Sequence, residues 1–145
     1  MIHHFSMPAV DTKLVSEVLQ EIFDGRVTNF NPTENAYMVW FGDEYGSAIE
    51  VYPADIELRP GSNEDPCEFH KTRTSEYSPF HVAISVDCSQ EKLHEIGDRL
   101  GWRTAEFRRG SFRVVEFWVE NRIMFELLPA DMTAEYLVMT KQYQK

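Results

Sequence analysis

Hydrophobic and polar positions along the chain follow one pattern twice. The first pass opens with Ile2-His3-His4-Phe5-Ser6-Met7, an alternating stretch that predicts a short strand ended by Pro8. From Asp11 to Gly25 the apolar residues Leu14, Val15, Val18, Leu19, Ile22 and Phe23 recur at helical period on one face. Asp11 or Thr12 suits the helix start, and Gly25 suits a left-handed residue after the last turn. Strands are predicted near Val27–Phe30, Ala36–Phe41 and Ser47–Tyr52, the last two joined by the turn Gly42-Asp-Glu-Tyr-Gly46. The order is strand, helix and three strands.

The second pass repeats it. Phe80-His81-Val-Ala-Ile-Ser-Val86 reads as a strand, and Asp87 or Ser89 caps a helix with Leu93, Ile96 and Leu100 facing inward and Gly101 at its end. Strands follow near Arg103–Arg108, Phe112–Val119 and Arg122–Leu128, with Glu120-Asn121 as the tight turn. Glu50-Val-Tyr-Pro-Ala-Asp55 returns 76 residues later as Glu126-Leu-Leu-Pro-Ala-Asp131. His4 precedes Glu50 by 46 residues and His81 precedes Glu126 by 45, so the echo extends over the whole unit. The expected organisation is a single domain of 1–145: a first module over about 1–55, a connection over about 54–79, a second module over about 80–130, and a C-terminal helix over about 131–143. The connection contains Pro60, Gly61, Pro66 and Pro79 and many polar residues, which predicts little structure of its own.

Composition narrows the function. The chain has 145 residues, enough for a real hydrophobic interior. A formal charge of −10 disfavours nucleic acid and anionic bilayers, whose phosphates need clustered Lys and Arg. No apolar run approaches a membrane span, and the first residues lack the basic and long apolar segments of a signal peptide. Cys67 and Cys88 have no metal or redox spacing and are expected as reduced thiols in a cytoplasmic protein.

Side chains two apart share a strand face, so His4 lies with Ser6, His81 with Ala83 and Ser85, Glu50 with Tyr52, and Glu126 with Met124 and Leu128. Both glutamates accompany apolar neighbours inward, and a buried carboxylate without compensation costs several kcal/mol. A divalent cation held by two neutral imidazoles and two carboxylates is locally neutral and supplies that compensation. Such a nitrogen–oxygen set accommodates Zn, Ni, Co, Mn or Fe(II) without distinguishing them. The competing reading is two buried His–Glu pairs that tie strands together without metal. His3 alternates to the other face; His70 is expected in the loop and His94 on a polar helix face, both solvated. Tyr52, Trp40, Trp118 and Phe117 can line a pocket, although aromatics on strands are more often core. Arg103, Arg108, Arg109 and Arg113 can hold an anionic substrate group, although a solvated hairpin accounts for them more simply.

The motifs His81-Val-Ala-Ile-Ser-Val86 with Phe125-Glu126-Leu127, and His4-Phe-Ser-Met7 with Ile49-Glu50-Val51, resemble the vicinal oxygen chelate superfamily of glyoxalase I, bleomycin-resistance proteins and extradiol dioxygenases. The resemblance spans nearly the full chain. It implies an α+β fold of two tandem βαβββ modules whose strands form an incomplete, mostly antiparallel barrel. It also implies that His4, Glu50, His81 and Glu126 are the ligands of one divalent metal ion. The implied reaction is a glyoxalase-like lyase or isomerase step on a small molecule with vicinal oxygens. There the metal stabilises an enediolate, Glu50 or Glu126 carries the proton, and Tyr52, Trp40, Trp118 and Arg113 contact substrate. No motif for a glutathione conjugate is present. The alternatives are a metal-free protein that sequesters a small molecule in the bleomycin-resistance manner, or an Fe(II) dioxygenase. Small relatives of this kind are commonly dimeric, so a homodimer is expected.

Overall fold

The computed structural model describes residues 3–44, 46–59, 66, 68–73 and 80–141. Cys67, Pro60, Gly61, Pro79 and the expected last helical residues 142–143 lie outside them. The chain divides into two compact units, Met1–Glu76 and Tyr77–Lys145.

In the first unit, β1 (His4–Ala9) leads into α1 (Thr12–Phe23), followed by β2 (Arg26–Phe30), β3 (Ala36–Trp40) and β4 (Ala48–Pro53). The sheet order is β1-β4-β3-β2, with β1 parallel to β4 and the other neighbours antiparallel. The parallel pair follows from α1, which carries the chain across one face of the sheet before β2 begins. Pro8 does not end β1 but lies within it, opposite Tyr52. A proline is tolerated there because β1 is an edge strand and its missing N–H costs no ladder bond on the open side.

Asp11 caps α1, its side chain accepting from Leu14 N at 3.0 Å. Val15, Leu19 and Ile22 on the helix meet Met7, Val39, Ile49 and Val51 in a solvent-free layer. The residue in left-handed conformation at the helix end is Asp24 (φ 48°), and Gly25 is not the left-handed cap expected of it. Gly25 is required for a different reason: a Cβ built on it overlaps the carbonyl oxygen of Trp40, which is backbone and has no room to retreat. Gly25→Ala is therefore expected to lose about 1–3 kcal/mol of stability by overpacking, read from urea denaturation; no loss would refute the assignment.

The connection carries more structure than its prolines suggest. β5 (Ile56–Arg59) and β6 (Glu68–Lys71) form a two-stranded antiparallel ladder. Leu58 stands opposite Phe69, and the Phe69 ring lies 5.6 Å from that of Tyr52. His70, expected in a loop, is on β6 and bonds Glu68 at 2.9 Å. The alternation of Ile56, Leu58 and Phe69 was outweighed by the surrounding turn residues.

The second unit repeats the plan with β7 (His81–Ser85), α2 (Gln90–Leu100), β8 (Thr104–Arg109), β9 (Phe112–Val119) and β10 (Ile123–Leu128), in sheet order β7-β10-β9-β8. Ser89 caps α2, and Gly101 closes it at φ 67°. Gly97 lies against the Thr104 side chain, which places α2 on the face bearing Thr104, Phe117 and Phe125. Glu120 and Asn121, at φ 52° and 54°, make the turn into β10. Asn121 secures it by accepting from Arg103 N at 2.6 Å and donating to Gly101 O at 2.9 Å.

The last helix, α3 (Ala130–Thr140), packs on β9 with Met132 fully buried. The Phe112 and Tyr136 rings meet edge to face at 5.1 Å. Among the described residues no helix is long and apolar enough to cross a membrane.

Candidate metal and substrate site

The register of the two sheets makes the sequence repeat a spatial one. Ser6, Glu50, Met38 and Thr28 form a row across the first sheet, on the face opposite α1. Ala83, Glu126, Glu116 and Ala105 form the corresponding row across the second, opposite α2. His4 and His81 begin the outer strand of each row, opposite Ala48 and Met124. Both glutamates are buried, at 9% and 8% exposure, so each carboxylate needs compensating partners.

Those partners differ in kind. In the first unit they are neutral hydroxyls. Glu50 Oε2 accepts from Ser6 Oγ at 2.7 Å and from Tyr52 Oη at 3.3 Å. Its other oxygen, Oε1, faces His4 Nε2 at 3.6 Å. Tyr52 is itself held between the rings of Phe30 and Phe69, at 5.8 and 5.6 Å. The result is a carboxylate fixed by one oxygen and presenting the other beside an exposed imidazole.

In the second unit the positions of Ser6 and Tyr52 are taken by Ala83 and Leu128, which donate nothing. The position of Met38 is taken by Glu116, directly opposite Glu126 on the neighbouring strand. Two carboxylates so placed repel one another. Arg109 resolves both problems: its Nε donates to Glu126 Oε1 at 2.8 Å and its Nη2 to Glu116 Oε1 at 2.5 Å. Glu116 also accepts from Arg103 Nη1 at 3.2 Å and Trp118 Nε1 at 3.0 Å. Burial alone pushes the Glu116 carboxyl up, but the bonds from Arg109 and Trp118 with the charges of Arg109 and Arg103 outweigh it and hold it below the usual range. The bond to Glu116 likewise raises the Arg109 guanidinium against the opposing effect of burial. Arg103 lies over the Phe107 ring at 5.3 Å, completing a cationic and aromatic border to the row.

Of the residues picked from sequence, the structure thus joins His4, Glu50 and Tyr52 in one cluster. Glu126 and Trp118 belong to another, built around two residues the sequence reading missed in this role, Glu116 and Arg109. Trp40 donates to Thr28 Oγ1 at 3.0 Å at the far side of the first row. Arg113 points the opposite way, toward α3, where it bonds Glu135 at 2.6 Å and Asp131 at 2.7 Å. The solvated hairpin expected of the arginines is corrected accordingly: Arg109 and Arg113 are each bound by two or more carboxylates. Cys88 Sγ donates to Ser89 O at 3.8 Å.

Whether this chain's residues suit a divalent metal can be judged one unit at a time. His4 and Glu50 offer one nitrogen and one oxygen on the same face, a mixed pair suited to a first-row transition ion. In the second unit Glu126 is equally suited in type, but its Oε1 is already bonded to Arg109. Within either unit, among the described residues, no three His, Cys, Asp or Glu side chains gather closely enough to hold an ion by themselves.

The fold is the glyoxalase/bleomycin-resistance fold that the sequence resemblance implied. Among solved structures, the chain is similar to the fosfomycin resistance protein FosX from Mesorhizobium loti, with 17% identity over 94% of this chain and 95% of that one, TM-score 0.54. FosX from Listeria monocytogenes, complexed with Mn(II) and sulfate, gives 19% identity over 99% and 97%, TM-score 0.57. A possible glyoxalase from Bacillus cereus gives 15% over 88% and 96%, TM-score 0.51. No protein-family model and no curated protein sequence matches the chain.

Proposed function

We propose that the protein is a divalent-metal-dependent enzyme acting on a small molecule that offers adjacent oxygens, with His4, Glu50, His81 and Glu126 as the metal ligands. The observation that carries this reading is the His4–Glu50 pair. An imidazole and a buried carboxylate share one sheet face, with one carboxylate oxygen secured by Ser6 and Tyr52 and the other held toward the imidazole. A merely structural glutamate has no need of an exposed histidine, yet the same His–Glu placement recurs in the second sheet. The Mn(II) bound in FosX from Listeria monocytogenes supports a divalent ion in this fold.

An ion held by these residues would supply a Lewis acid able to polarise a substrate oxygen. The remaining chemistry belongs to the chain. Glu50 is the group we assign to proton transfer, because Ser6 and Tyr52 keep Oε2 in place while Oε1 lies beside the His4 imidazole. In a glyoxalase-like isomerisation it takes a proton from the carbon beside the polarised carbonyl and returns it to the neighbouring carbon, with no net change in oxidation state. Glu126, tied to Arg109, is the weaker candidate for that part. Tyr52, Trp40 and Trp118 offer aromatic surface along the two rows.

The test is metal content and Mn(II) titration of the purified protein. One divalent ion per chain is expected, with Glu50→Gln and His4→Ala each weakening binding by about 100-fold or more, since even residues that only orient ligands cost 10–100-fold. A folded wild-type protein that takes up no divalent ion ends this reading.

One observation favours a second: the guanidinium of Arg109 already neutralises Glu126. On that basis the protein is a metal-free binder of a small molecule, as bleomycin-resistance proteins are. It then shows unchanged ligand affinity in chelator and no turnover.

A further inference from the structure

The two rows solve one electrostatic problem in two ways, and the difference has a function. Glu50 is satisfied by hydroxyls on Oε2, which can stay in place when a cation arrives at Oε1. Glu126 is satisfied by a full positive charge bonded to its Oε1. That guanidinium has a second carboxylate, Glu116, within reach at the same time. Glu116 and Glu126 stand directly opposite each other, so Arg109 bridges them as a bound cation would.

We infer that Arg109 is an internal counter-cation that competes with the metal for Glu126, and that Glu116 is the seat to which it withdraws when the ion binds. The inference rests on the proposed metal reading and adds to it a determinant of affinity made by two residues that are not ligands.

The physical argument is one of charge. Arg103, Glu116, Arg109 and Glu126 sum to zero, so the metal-free row is neutral. A divalent ion at Glu126 meets Coulomb repulsion from Arg109 if the guanidinium stays within a few ångströms. Withdrawal toward Glu116 relieves it. Glu116 is built to receive it, since Trp118 Nε1 and Arg103 Nη1 fix its Oε2 and leave Oε1 for Arg109. The first sheet needs no such device, because Met38 stands where Glu116 does and Ser6 and Tyr52 serve the carboxylate. The same pairing keeps the metal-free protein from holding two unscreened buried carboxylates side by side.

The prediction is a pair of opposite effects from neighbouring substitutions. Arg109→Met removes the competitor and is expected to tighten Mn(II) binding by about tenfold or more. Glu116→Gln removes the alternative seat, leaves Arg109 with Glu126 alone, and is expected to weaken Mn(II) binding to a similar degree. Arg103→Met removes the same charge from the same carboxylate without the bond to Glu126, and is expected to change affinity far less than Arg109→Met. Affinities are read by calorimetry and by the electron paramagnetic resonance of free Mn(II), with folding checked by circular dichroism.

Wild type that binds Mn(II) with Arg109→Met equal or weaker overturns the inference and leaves the metal reading standing. No binding by either protein overturns both. Binding by Arg109→Met alone overturns the metal reading of the native protein and, with it, the withdrawal of Arg109 to Glu116. Should Arg109→Met fail to fold, Glu116→Gln decides: unchanged or tighter binding overturns the inference.

Discussion

Replacing Phe117 with alanine is expected to cost about 3–5 kcal/mol of stability, a large part of what a domain of this size has to lose. Phe117 is fully buried at the middle of β9, on the face that α2 covers. It stands opposite Phe125 on one side and Thr104 on the other, and meets the Trp102 ring edge to face at 5.8 Å. Its removal opens a cavity bordered by two β-strands and a helix that cannot close around it. Gly97, pressed against Thr104, shows how little slack that layer has. Urea denaturation followed by tryptophan fluorescence measures the loss, since Trp102 reports on the same layer. Phe117→Leu is expected to lose a fraction of this. A loss below about 1 kcal/mol for the alanine variant would show that the layer repacks freely.

Acidification is expected to loosen the second unit before the first. Glu116, Asp131 and Glu135 all have carboxyls held below their ordinary values of 4.5, 3.8 and 4.5. For Glu116, burial works the other way, and the bonds from Arg109 and Trp118 overcome it. For Asp131 and Glu135 the leading cause is the hydrogen bond from Arg113. A carboxylate with a depressed value contributes stability that is fully present above its unfolded value. That stability disappears as pH falls through the folded one. The contribution should thus be intact at pH 6 and decline progressively below about pH 4.5. Hydrogen-exchange protection at β9, β10 and α3, corrected for the intrinsic slowing of exchange in acid, should fall across that window ahead of protection in β3 and β4. Equal protection of both sheets down to the lowest pH would contradict this. The Arg113 variant Arg113→Met should flatten the acid response of α3, because its two strongest partners then have no guanidinium to bind.

These expectations draw unequally on sequence and structure. The element order was legible because each signal was local: helical period from Leu14 to Phe23, alternation through His81–Val86, and turn residues at Gly42–Gly46 and Glu120-Asn121. The repeat was legible because a six-residue echo and two histidines kept register over half the chain. The faces of His4, Glu50 and Glu126 followed from alternation alone. Two local readings failed for reasons that are not local. Gly25 serves the approach of the Trp40 carbonyl and not a helix cap, and Pro8 sits inside β1 because β1 has an open edge. The β5–β6 ladder was hidden by the prolines around it.

The amino-acid sequence by itself determined that two similar units each place a histidine and a buried glutamate at matching positions, because periodicity and spacing are properties of the chain alone. Only the tertiary structure decided how each glutamate is satisfied: by the hydroxyls of Ser6 and Tyr52 for Glu50, and by the guanidinium of Arg109, shared with Glu116, for Glu126. The reason is that strand pairing brings together residues 10 and 17 positions apart along the chain, such as Glu116 with Glu126 and Arg109 with Glu126. Which long side chain reaches which carboxylate depends on that pairing and not on any pattern along the sequence.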